Sequence, residues 1–579
     1  MSKKLLLGNE AVARGVYEAG AAVVSSYPGT PSTEITEAVS KYDEVYSEWA
    51  PNEKVAVETS LGASIGGARA FSAMKHVGLN VAADPLFTAS YTGINGGFVI
   101  AVADDPGMFS SQNEQDSRHY AEASKVMMLE PSDSRECKDF VKKAFDLSEK
   151  FDTPVLLRLT MRVSHSRGVV ELEDRKEVSL KEYKKDPSKY VMMPAYAIPK
   201  HKVVETRQAA IKEFMETSDL NRVEMNSDEI GVITAGNCYN YAKEALGDKA
   251  SYLKLGCVYP LPDKLILDFA SKCKKIYVVE ELDPFIENHC KQLGLKVYGK
   301  DKFTMLGEYS QALVAKAVLG EEKEYKTVDV DIPGRPPVLC PGCPHRGVFY
   351  ALKNLKVTVC GDIGCYTLGA LPPLGAMDTT ICMGASISSL HGRIKANPEY
   401  AKNSVAVIGD STFCHSGITG LVDITYNNSP ATVIVLDNST TGMTGHQENP
   451  TTGKNIKGEP ATAIDIVALA KAIGFKRIQV VDPYNLKETQ DAIKTELQAD
   501  EPSLIIARRP CALLKFVKHD PPYKIEQDKC KGCTSCMKIG CPAISFSDKK
   551  AHIDATQCAG CGVCTELCHF DAIKGGKTE

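Results

Sequence analysis

The sequence has no excess of positive charge and no long apolar run, and each absence excludes a class of protein. Its 579 residues include 68 Lys+Arg against 73 Asp+Glu, for a formal net charge of −5. Because binding to nucleic acid relies on clustered Lys and Arg side chains that neutralise phosphates, we expect no nucleic acid partner. The longest uncharged run, residues 85–103, contains several hydroxyl side chains and three glycines. It lacks the ~20 apolar residues of a transmembrane helix, so we expect no membrane span.

The amino terminus also lacks the apolar core of a signal peptide. Only three leucines separate Lys3 and Lys4 from Gly8, which predicts a cytoplasmic protein. The 20 cysteines would then lie in a reducing compartment, where they serve more often as metal ligands or reactive thiols than as disulfides. An ordinary globular composition and this length predict about four domains.

Eight of the cysteines are crowded near the carboxyl end. They form two runs, Cys530, Cys533, Cys536 and Cys541, then Cys558, Cys561, Cys564 and Cys568. Three thiolates spaced by two residues can hold one face of an iron–sulfur cubane. A pair of tetrahedral zinc knuckles is the alternative, although the two runs fit zinc poorly.

The two runs resemble bacterial two-cluster ferredoxins, in which the fourth cysteine of each run binds the other cluster. The resemblance implies one 4Fe-4S cluster on Cys530, Cys533, Cys536 and Cys568, and a second on Cys541, Cys558, Cys561 and Cys564. Four residues rather than three separate Cys536 from Cys541, and His569 stands where the ferredoxins have proline. The longer spacing alters the first loop without removing a ligand.

Upstream of the cysteine runs, apolar β-branched stretches alternate with amphipathic ones. This alternation predicts an α/β protein with parallel sheets covered by helices. The predicted strands include residues 230–234, 276–279, 405–408 and 432–436. A charged stretch, residues 171–228, interrupts the pattern and is interpreted as a connector or surface insertion.

Two of the predicted strands end in polar turns, where α/β sheets bind their ligands. Gly409, Asp410 and Ser411 follow the first, and Asp437 and Asn438 end the second. The arrangement resembles the thiamine diphosphate motif. The resemblance implies that Mg²⁺ is bound by the Asp410 side chain, the Asn438 side chain and the Thr440 carbonyl. It also implies cofactor contacts from Gly409, Ser411, Asn438, Thr440, Gly442 and Met443. The alternative is that Asp410 and Asn438 only form turns and helix caps.

Thiamine chemistry also requires a buried carboxyl that keeps the cofactor's aminopyrimidine in its imino form. Glu58 is the preferred candidate because a Gly/Ala-rich helical stretch follows it, and Glu53 is the second choice. The alternative role for Glu58 is stabilisation of the first turn of a helix.

An ordered series of motifs runs along essentially the whole chain. They are residues 27–31 (YPGTP), residues 52–54 with Glu58, residues 75–83, residues 104–107 with 110–118, residues 340–346 (CPGCPHR), residues 409–413 and the cysteine-rich tail. Together they resemble the α subunits of indolepyruvate ferredoxin oxidoreductases, which belong to the thiamine-dependent 2-oxoacid:ferredoxin oxidoreductases.

The resemblance implies an enzyme that converts an aryl 2-oxoacid, coenzyme A and oxidised ferredoxin into aryl-acyl-CoA, CO2 and reduced ferredoxin. Indolepyruvate and phenylpyruvate are the implied substrates. Thr30 would contact the substrate, and Arg118 is a weak substitute for a carboxylate-binding arginine that has no obvious counterpart. A smaller β subunit, in a heterotetramer of two α and two β chains, and an external ferredoxin are the implied partners. Oxygen sensitivity and an anaerobic host would follow from the clusters.

Four further cysteines, Cys340, Cys343, Cys365 and Cys511, stand where relatives hold a third 4Fe-4S cluster beside the thiamine. Two interpretations stay open, because buried free thiols also behave as small apolar side chains.

The complete prediction is a multidomain α/β protein. Its segments are a pyrimidine-binding (Pyr-type) thiamine domain at 1–170, the connector at 171–228, a transketolase-C-terminal-like α/β domain at 229–330, a diphosphate-binding (PP-type) thiamine domain at 331–519 and a ferredoxin domain with two 4Fe-4S clusters at 520–579. Two alternatives for function are a thiamine-dependent 2-oxoacid decarboxylase without redox chemistry and an electron-transfer subunit of another 2-oxoacid oxidoreductase.

Overall fold

The structure is a computed structural model that describes residues 2–322, 329–334 and 336–575. It divides into two compact units, Met1–Asp329 and Val330–Glu579. Each unit is described by itself.

The first unit contains two parallel-rich sheets. Its strands are β1 Lys3–Leu7, β2 Val23–Ser26, β3 Tyr46–Trp49, β4 Ala70–Lys75, β5 Phe98–Asp104, β6 Met127–Leu129, β7 Val155–Thr160, β8 Arg167–Glu171, β9 Arg222–Glu224, β10 Ile230–Ala235, β11 Ser251–Leu255, β12 Cys257–Tyr259, β13 Lys275–Val279 and β14 Val297–Tyr298. Its helices are α1 Gly8–Glu18, α2 Thr33–Val39, α3 Glu53–Ile65, α4 His76–Val81, α5 Ala83–Thr92, α6 Arg118–Ser124, α7 Ser134–Phe151, α8 Met161–His165, α9 Pro187–Tyr190, α10 Pro194–Met215, α11 Gly236–Leu246, α12 Asp263–Ser271, α13 Phe285–Gln292 and α14 Gln311–Leu319.

The larger sheet of this unit has seven strands in the order β12-β6-β7-β5-β4-β2-β3. All neighbours are parallel except β12, which pairs antiparallel with β6. Strands β4, β5 and β7 are buried along their whole length, as expected for strands covered on both faces. The carboxyl ends of β5, β4, β2 and β3 therefore meet at one edge, where such sheets bind ligands.

The smaller sheet has five strands in the order β14-β13-β10-β11-β9, and β9 is an antiparallel edge strand. The segment predicted as a connector contributes β9 and the 22-residue helix α10. Arg207 of α10 is buried and donates hydrogen bonds to the carbonyls of Ser90 and Asp152. The helix is therefore packed against the larger-sheet region rather than being a free surface insertion.

The second unit contains one five-stranded parallel sheet and a small cysteine-rich region. Its strands are β15 Thr358–Cys360, β16 Ser404–Gly409, β17 Thr432–Asp437, β18 Arg477–Val481, β19 Ser503–Arg508, β20 Tyr523–Ile525, β21 Ile544–Ser547, β22 Lys550–Ile553 and β23 Ile573–Gly575. Its helices are α15 His345–Leu355, α16 Ala385–Ala396, α17 Asp410–Thr412, α18 Ile418–Tyr426, α19 Ile466–Ile473 and α20 Leu486–Glu496.

The sheet order in this unit is β15-β16-β17-β19-β18, with every pair parallel. Two antiparallel pairs, β20-β23 and β21-β22, frame the carboxyl-terminal cysteines. Strands β10, β13, β16 and β17 confirm the four strands predicted from the apolar runs, each within one or two residues. Within the described ranges, no helix is both long and apolar enough to cross a membrane.

Two helical glycines of the second unit give a matched test of packing. A Cβ on Gly347 of α15 would lie 1.8 Å from the Pro483 carbonyl oxygen, whereas a Cβ on Gly392 of α16 would meet no heavy atom within 4 Å. We expect Gly347→Ala to lower the free energy of unfolding by about 1–3 kcal/mol or more, because the backbone must move. Gly392→Ala should raise it by up to about 1 kcal/mol through helix propensity. Urea denaturation of both variants checks this, and equal effects would contradict the packing described.

Candidate functional site

Three oxygen-bearing groups converge at the carboxyl ends of β16 and β17. Asp410 directly follows β16, and Asn438 and Thr440 follow β17; all three are buried. Asn438 Oδ1 lies 2.9 Å from the Thr440 carbonyl oxygen and 3.3 Å from Asp410 Oδ1. Oxygens this close repel unless a proton or a cation lies between them. A carboxylate, an amide oxygen and a backbone carbonyl are a hard donor set suited to Mg²⁺.

The orientation of the Asn438 amide is decided by what lies on its other side. With Oδ1 facing Asp410, Nδ2 lies 3.5 Å from His345 Nε2. Burial lowers the pKa of His345 to about 4, so its imidazole is neutral at pH 7 and can accept from the amide. This orientation presents oxygen to a cation. In the reverse orientation, Asn438 Nδ2 would donate to both oxygens.

The burial and charge environment of the Asp410 carboxyl are those expected of a cation ligand. Burial and the nearby Asp437 raise the pKa of Asp410 to about 7. Its Oδ2 atom is buried without a hydrogen-bond partner, while Oδ1 accepts from the Ser411 amide at 2.7 Å. An unpartnered buried carboxylate oxygen is costly, so this chain's residues fit the divalent metal that the sequence predicts.

The loop after Asn438 folds over this group of oxygens. Thr441 Oγ1 donates a 2.9 Å hydrogen bond to Ser411 Oγ, which joins the two strand-end turns. A Cβ on Gly409 would lie 2.7 Å from the Tyr366 ring, so only glycine fits there. Gly442 lies over Asn438, and Met443 is half exposed. Directly after α17, residues 413–417 form a π-helical turn, a feature frequent at functional sites.

The eight carboxyl-terminal cysteines line two separate cavities. One cavity is lined by Cys530, Cys533, Cys536 and Cys568. The other is lined by Cys541, Cys558, Cys561 and Cys564. The crossing of the fourth cysteine between the runs is therefore a property of the fold.

The spacing of the sulfurs bears on the zinc alternative. Tetrahedral zinc with Zn–S of about 2.3 Å needs sulfurs roughly 3.8 Å apart. Among the described residues, no three cysteine sulfurs lie within 4.8 Å of one another. The sulfurs of each quartet are thus farther apart than the ligands of a single tetrahedral zinc ion.

Cys340, Cys343, Cys365 and Cys511 are also brought together. The charges of Cys511 and Cys340 help raise the pKa of Cys365 to about 11, after burial as the main cause. Burial, with smaller contributions from Cys340 and Cys511, raises the pKa of Cys343 to about 12. Cys340 and Cys511 therefore lie close enough to Cys343 and Cys365 to act on both of these thiols.

This third quartet lies between the cation ligands and the second cavity. The Cys511 amide donates a 2.9 Å hydrogen bond to the Asn438 carbonyl. On the other side, Gly342 and Cys343 line the cavity of Cys541, Cys558, Cys561 and Cys564. A Cβ on Gly342 would lie 2.8 Å from Ala559 Cβ, so these two loops touch.

In the first unit, Glu53, Thr30 and Lys75 lie at the carboxyl ends of the strands of the larger sheet. Thr30 lies in the loop after β2 and is half-buried. A Cβ on its neighbour Gly29 would be 3.1 Å from Lys75 Cβ. Lys75, the last residue of β4, is only 8% exposed and donates a 2.6 Å hydrogen bond to the Ser110 carbonyl. Burial lowers the pKa of Lys75, and Asp105 partly opposes this.

The expectation that Glu58 is the buried carboxyl is wrong. Its side chain is 45% exposed and forms an ion pair with Lys54. Helix α3 begins at Glu53, because the Asn52 side chain accepts a hydrogen bond from the Val55 amide. Glu58 lies five residues further along, about 140° around the helix at ~3.6 residues per turn. The alternative role in a first helical turn fails for the same reason.

Glu53 meets the requirement that Glu58 does not. It is 4% exposed, and its carboxylate lies against Gly78, where an added Cβ would be 2.5 Å from Glu53 Oε1. The signal was present in the sequence: Glu53, Ala56, Val57, Ser60 and Ser64 recur at helical spacing and form the buried face.

Arg118 is not placed to bind a substrate carboxylate. It is 1% exposed, and its guanidinium pairs with Asp116 and Glu280. It also donates to the carbonyls of Glu281 and Asp283. With both edges of the guanidinium occupied, Arg118 joins the larger-sheet region to the strand end of β13. Glu280 is 162 residues away in the chain, so the sequence alone did not reveal this partner.

Comparison with known proteins agrees with this geometry. Residues 14–234 match the family described as pyruvate flavodoxin/ferredoxin oxidoreductase, thiamine diP-bdg. Residues 362–507 match thiamine pyrophosphate enzyme, C-terminal TPP binding domain. Indolepyruvate oxidoreductase subunit IorA of Archaeoglobus fulgidus is 42% identical, covering 100% of this chain and 98% of that protein. The protein of the same name from Pyrococcus abyssi is 43% identical, covering 98% and 96%. The 2-oxoglutarate synthase subunit KorA of Methanocaldococcus jannaschii is 28% identical, covering 48% and 88%.

The two thiamine diphosphate matches and the strand-end oxygens define the class as thiamine diphosphate-binding 2-oxoacid oxidoreductases. Within that class, identity above 40% over the whole chain shows that the protein belongs to the family of indolepyruvate oxidoreductase subunit IorA.

The raised pKa of Asp410 predicts a pH-dependent cation site. The folded-state pKa of about 7 exceeds the usual 3.8, so the proton competes with the metal below pH 7. The apparent affinity for Mg²⁺ with thiamine diphosphate should be about tenfold lower at pH 6 than at pH 8. Without ligands, the buried charge should cost stability as pH rises from about 4 to 7. Thermal unfolding with and without both ligands measures each effect.

Two variants distinguish the role of Asp410 from a general effect of removing an acidic side chain. Asp410→Asn should abolish the ligand-induced rise in Tm at both pH values and, without ligands, should stabilise the protein above pH 7. Asp423→Asn, on α18 with a side chain 46% exposed, should behave like the unaltered protein. A ligand-induced rise that is unchanged in Asp410→Asn would contradict the cation assignment.

Proposed function

We propose that the chain is the catalytic α subunit of an indolepyruvate:ferredoxin oxidoreductase. It would convert aryl 2-oxoacids, with coenzyme A as co-substrate, to aryl-acyl-CoA and CO2 and pass two electrons to ferredoxin. The observation that carries this proposal is a contact between the segment that contains Asn438 and the segment that contains Cys511. The backbone of Cys511 is hydrogen-bonded to Asn438, so cation ligands and a cysteine quartet share one segment.

Thiamine diphosphate supplies the carbon nucleophile and electron sink of this chemistry when it is bound. We infer that Asp410, Asn438 and the Thr440 carbonyl hold Mg²⁺ against the diphosphate. Gly409, Ser411, Gly442 and Met443 would line the diphosphate loop. Neutral His345 keeps the Asn438 oxygen turned toward the cation.

Glu53, rather than Glu58, would hold the proton at the aminopyrimidine ring. Its burial supports the role, because Glu53 lies on the buried face of α3, away from solvent. A Cβ on Gly78 would lie 2.5 Å from Glu53 Oε1, so a larger residue at position 78 would displace the carboxylate. The position at the start of α3 adds a favourable dipole for the charged form.

Lys75 would bind the carboxylate of the 2-oxoacid, the role for which Arg118 is unsuited. It is the buried cation next to the Thr30 loop, and its one hydrogen bond leaves two ammonium protons to donate. A bound carboxylate offsets the cost of burying the ammonium. Thr30 would contact the same substrate.

The three cysteine quartets would hold three 4Fe-4S clusters. Their order, from the Asn438 segment through Cys340, Cys343, Cys365 and Cys511 to the two carboxyl-terminal quartets, forms a path for single electrons. A decarboxylase that releases an aldehyde has no use for such a path, which disfavours the non-redox alternative. A purely electron-transferring subunit has no use for a buried Asp410, Asn438 and Glu53.

The partners would be a smaller β subunit, in a heterotetramer of two α and two β chains, and an external ferredoxin. All three named relatives are called subunits, which supports a partner chain. Exposed cluster ligands such as Cys533 would make the enzyme sensitive to oxygen.

Replacing each of the two candidate acids separately by glutamine tests the proposed function. In the anaerobic α and β complex, Glu53→Gln should lower ferredoxin reduction by phenylpyruvate and coenzyme A about 10²- to 10⁴-fold, because proton transfer at the cofactor is lost. Glu58→Gln should leave the rate nearly unchanged. The reverse pattern would return the role to Glu58, and undiminished activity in both variants would contradict the thiamine mechanism.

Lys75 has a separate kinetic signature. Lys75→Gln should raise KM for phenylpyruvate about 10- to 100-fold, since a hydrogen bond to a charged group contributes about 1.5–3 kcal/mol. KM for coenzyme A should not change. Lys54→Gln, an exposed lysine of α3, is the control. An unchanged KM for phenylpyruvate would show that Lys75 only supports the Ser110 loop.

A further inference from the structure

Arg346 is a buried cation that the proposed mechanism does not use. It follows the Cys340-Pro-Gly-Cys343 loop in α15 and is 5% exposed. It also lines the cavity of Cys541, Cys558, Cys561 and Cys564. The side chain thus lies between two of the cysteine quartets.

The guanidinium joins the two loops that carry these quartets. Nε donates a 3.1 Å hydrogen bond to the Cys340 carbonyl, and Nη2 donates to the Leu339 carbonyl. Nη1 donates to the carbonyls of Ile539, at 3.2 Å, and Gly540. Gly540 directly precedes Cys541. The planar fork of arginine suits this set of acceptors, which the rotating ammonium of lysine would not reproduce.

The ionisable neighbours of Arg346 are cysteines of two quartets. Two of its hydrogen bonds go to the carbonyls of Cys340 and of Gly540, and it lines one cavity together with Cys343, Cys541 and Cys561. Its four acceptors are neutral carbonyls. A buried charge without a compensating anion is costly, so the protein gains most from this guanidinium when negative charge is present on the neighbouring quartets.

We propose that Arg346 is a positioning residue that makes the two neighbouring iron–sulfur centres easier to reduce. These are the centre on Cys541, Cys558, Cys561 and Cys564 and the centre on Cys340, Cys343, Cys365 and Cys511. Each centre gains one negative charge when it accepts an electron, and the fixed positive charge stabilises that reduced form. No bond forms or breaks in this step. The electron comes from the substrate as it is oxidised and leaves to ferredoxin. This inference rests on the proposed function.

The remaining quartet provides an internal control. The cavity of Cys530, Cys533, Cys536 and Cys568 is lined without Arg346. Loss of Arg346 should therefore shift the potentials of two centres and leave the third in place. A general loosening of the fold would move all three.

The test is a potentiometric titration of the anaerobic α and β complex, followed by electron paramagnetic resonance. Arg346→Met should lower the midpoint potentials of the two neighbouring centres, so that at a fixed potential their reduced-to-oxidised ratio falls about tenfold, or about 59 mV for one electron. Arg346→Lys keeps the charge and should shift them less. Arg477→Met, an arginine paired with Glu496, should shift none.

Iron and acid-labile sulfide are counted first in each protein. Fewer than twelve irons in the unaltered chain would contradict the three clusters of the proposed function and is distinct from the outcomes that test this inference. Unchanged potentials in fully loaded Arg346→Met, or an equal shift of all centres, would overturn the inference. If Arg346→Met and Arg346→Gln both lose iron while Arg346→Lys keeps its iron, the role is structural and the inference is likewise overturned.

Discussion

The 2.9 Å hydrogen bond from the Cys511 amide to the Asn438 carbonyl is the constraint on which the second unit depends. It joins the end of β17, which is followed by Asn438, to the segment after β19, which contains Cys511. Because β17 and β19 are adjacent and parallel, both segments emerge at the same edge of the sheet. Two kinds of chemistry therefore lie beside each other without any long side chain reaching between them.

The same principle organises the first unit. Parallel strands with buried faces deliver Thr30, Lys75 and the start of α3 to one edge of the larger sheet. Backbone architecture decides which residues meet, and burial then decides which of them can act. Glu53 and Lys75 are buried, whereas the Glu58 side chain is 45% exposed and paired with Lys54.

The sequence predicted those features that depend on spacing within a short segment. The strands around residues 405–408 and 432–436, the strand-end pair Asp410 and Asn438, and the grouping of the eight carboxyl-terminal cysteines are of this kind. Each follows from local periodicity or from a repeated motif.

Features that depend on helical phase or on distant partners were not predicted. Choosing between Glu53 and Glu58 required knowing where α3 begins. The Asn52 cap sets that start, and the start decides which residues of the helix lie on the buried face. Arg118 was a plausible ligand in the sequence because its partner Glu280 belongs to another sheet. Lys75 and Arg346 lie within recognisable motifs, but only their burial distinguishes them from ordinary surface cations.

The contact between Gly342 and Ala559 bears on the rate of the proposed electron transfer. Tunnelling slows exponentially with the width of the gap between donor and acceptor. The two loops approach each other through three of the smallest residues, since a Cβ on Gly342 would meet Ala559 at 2.8 Å and Ala512 at 3.4 Å. A methyl group added at Gly342 would push these loops apart and would lengthen the proposed electron path.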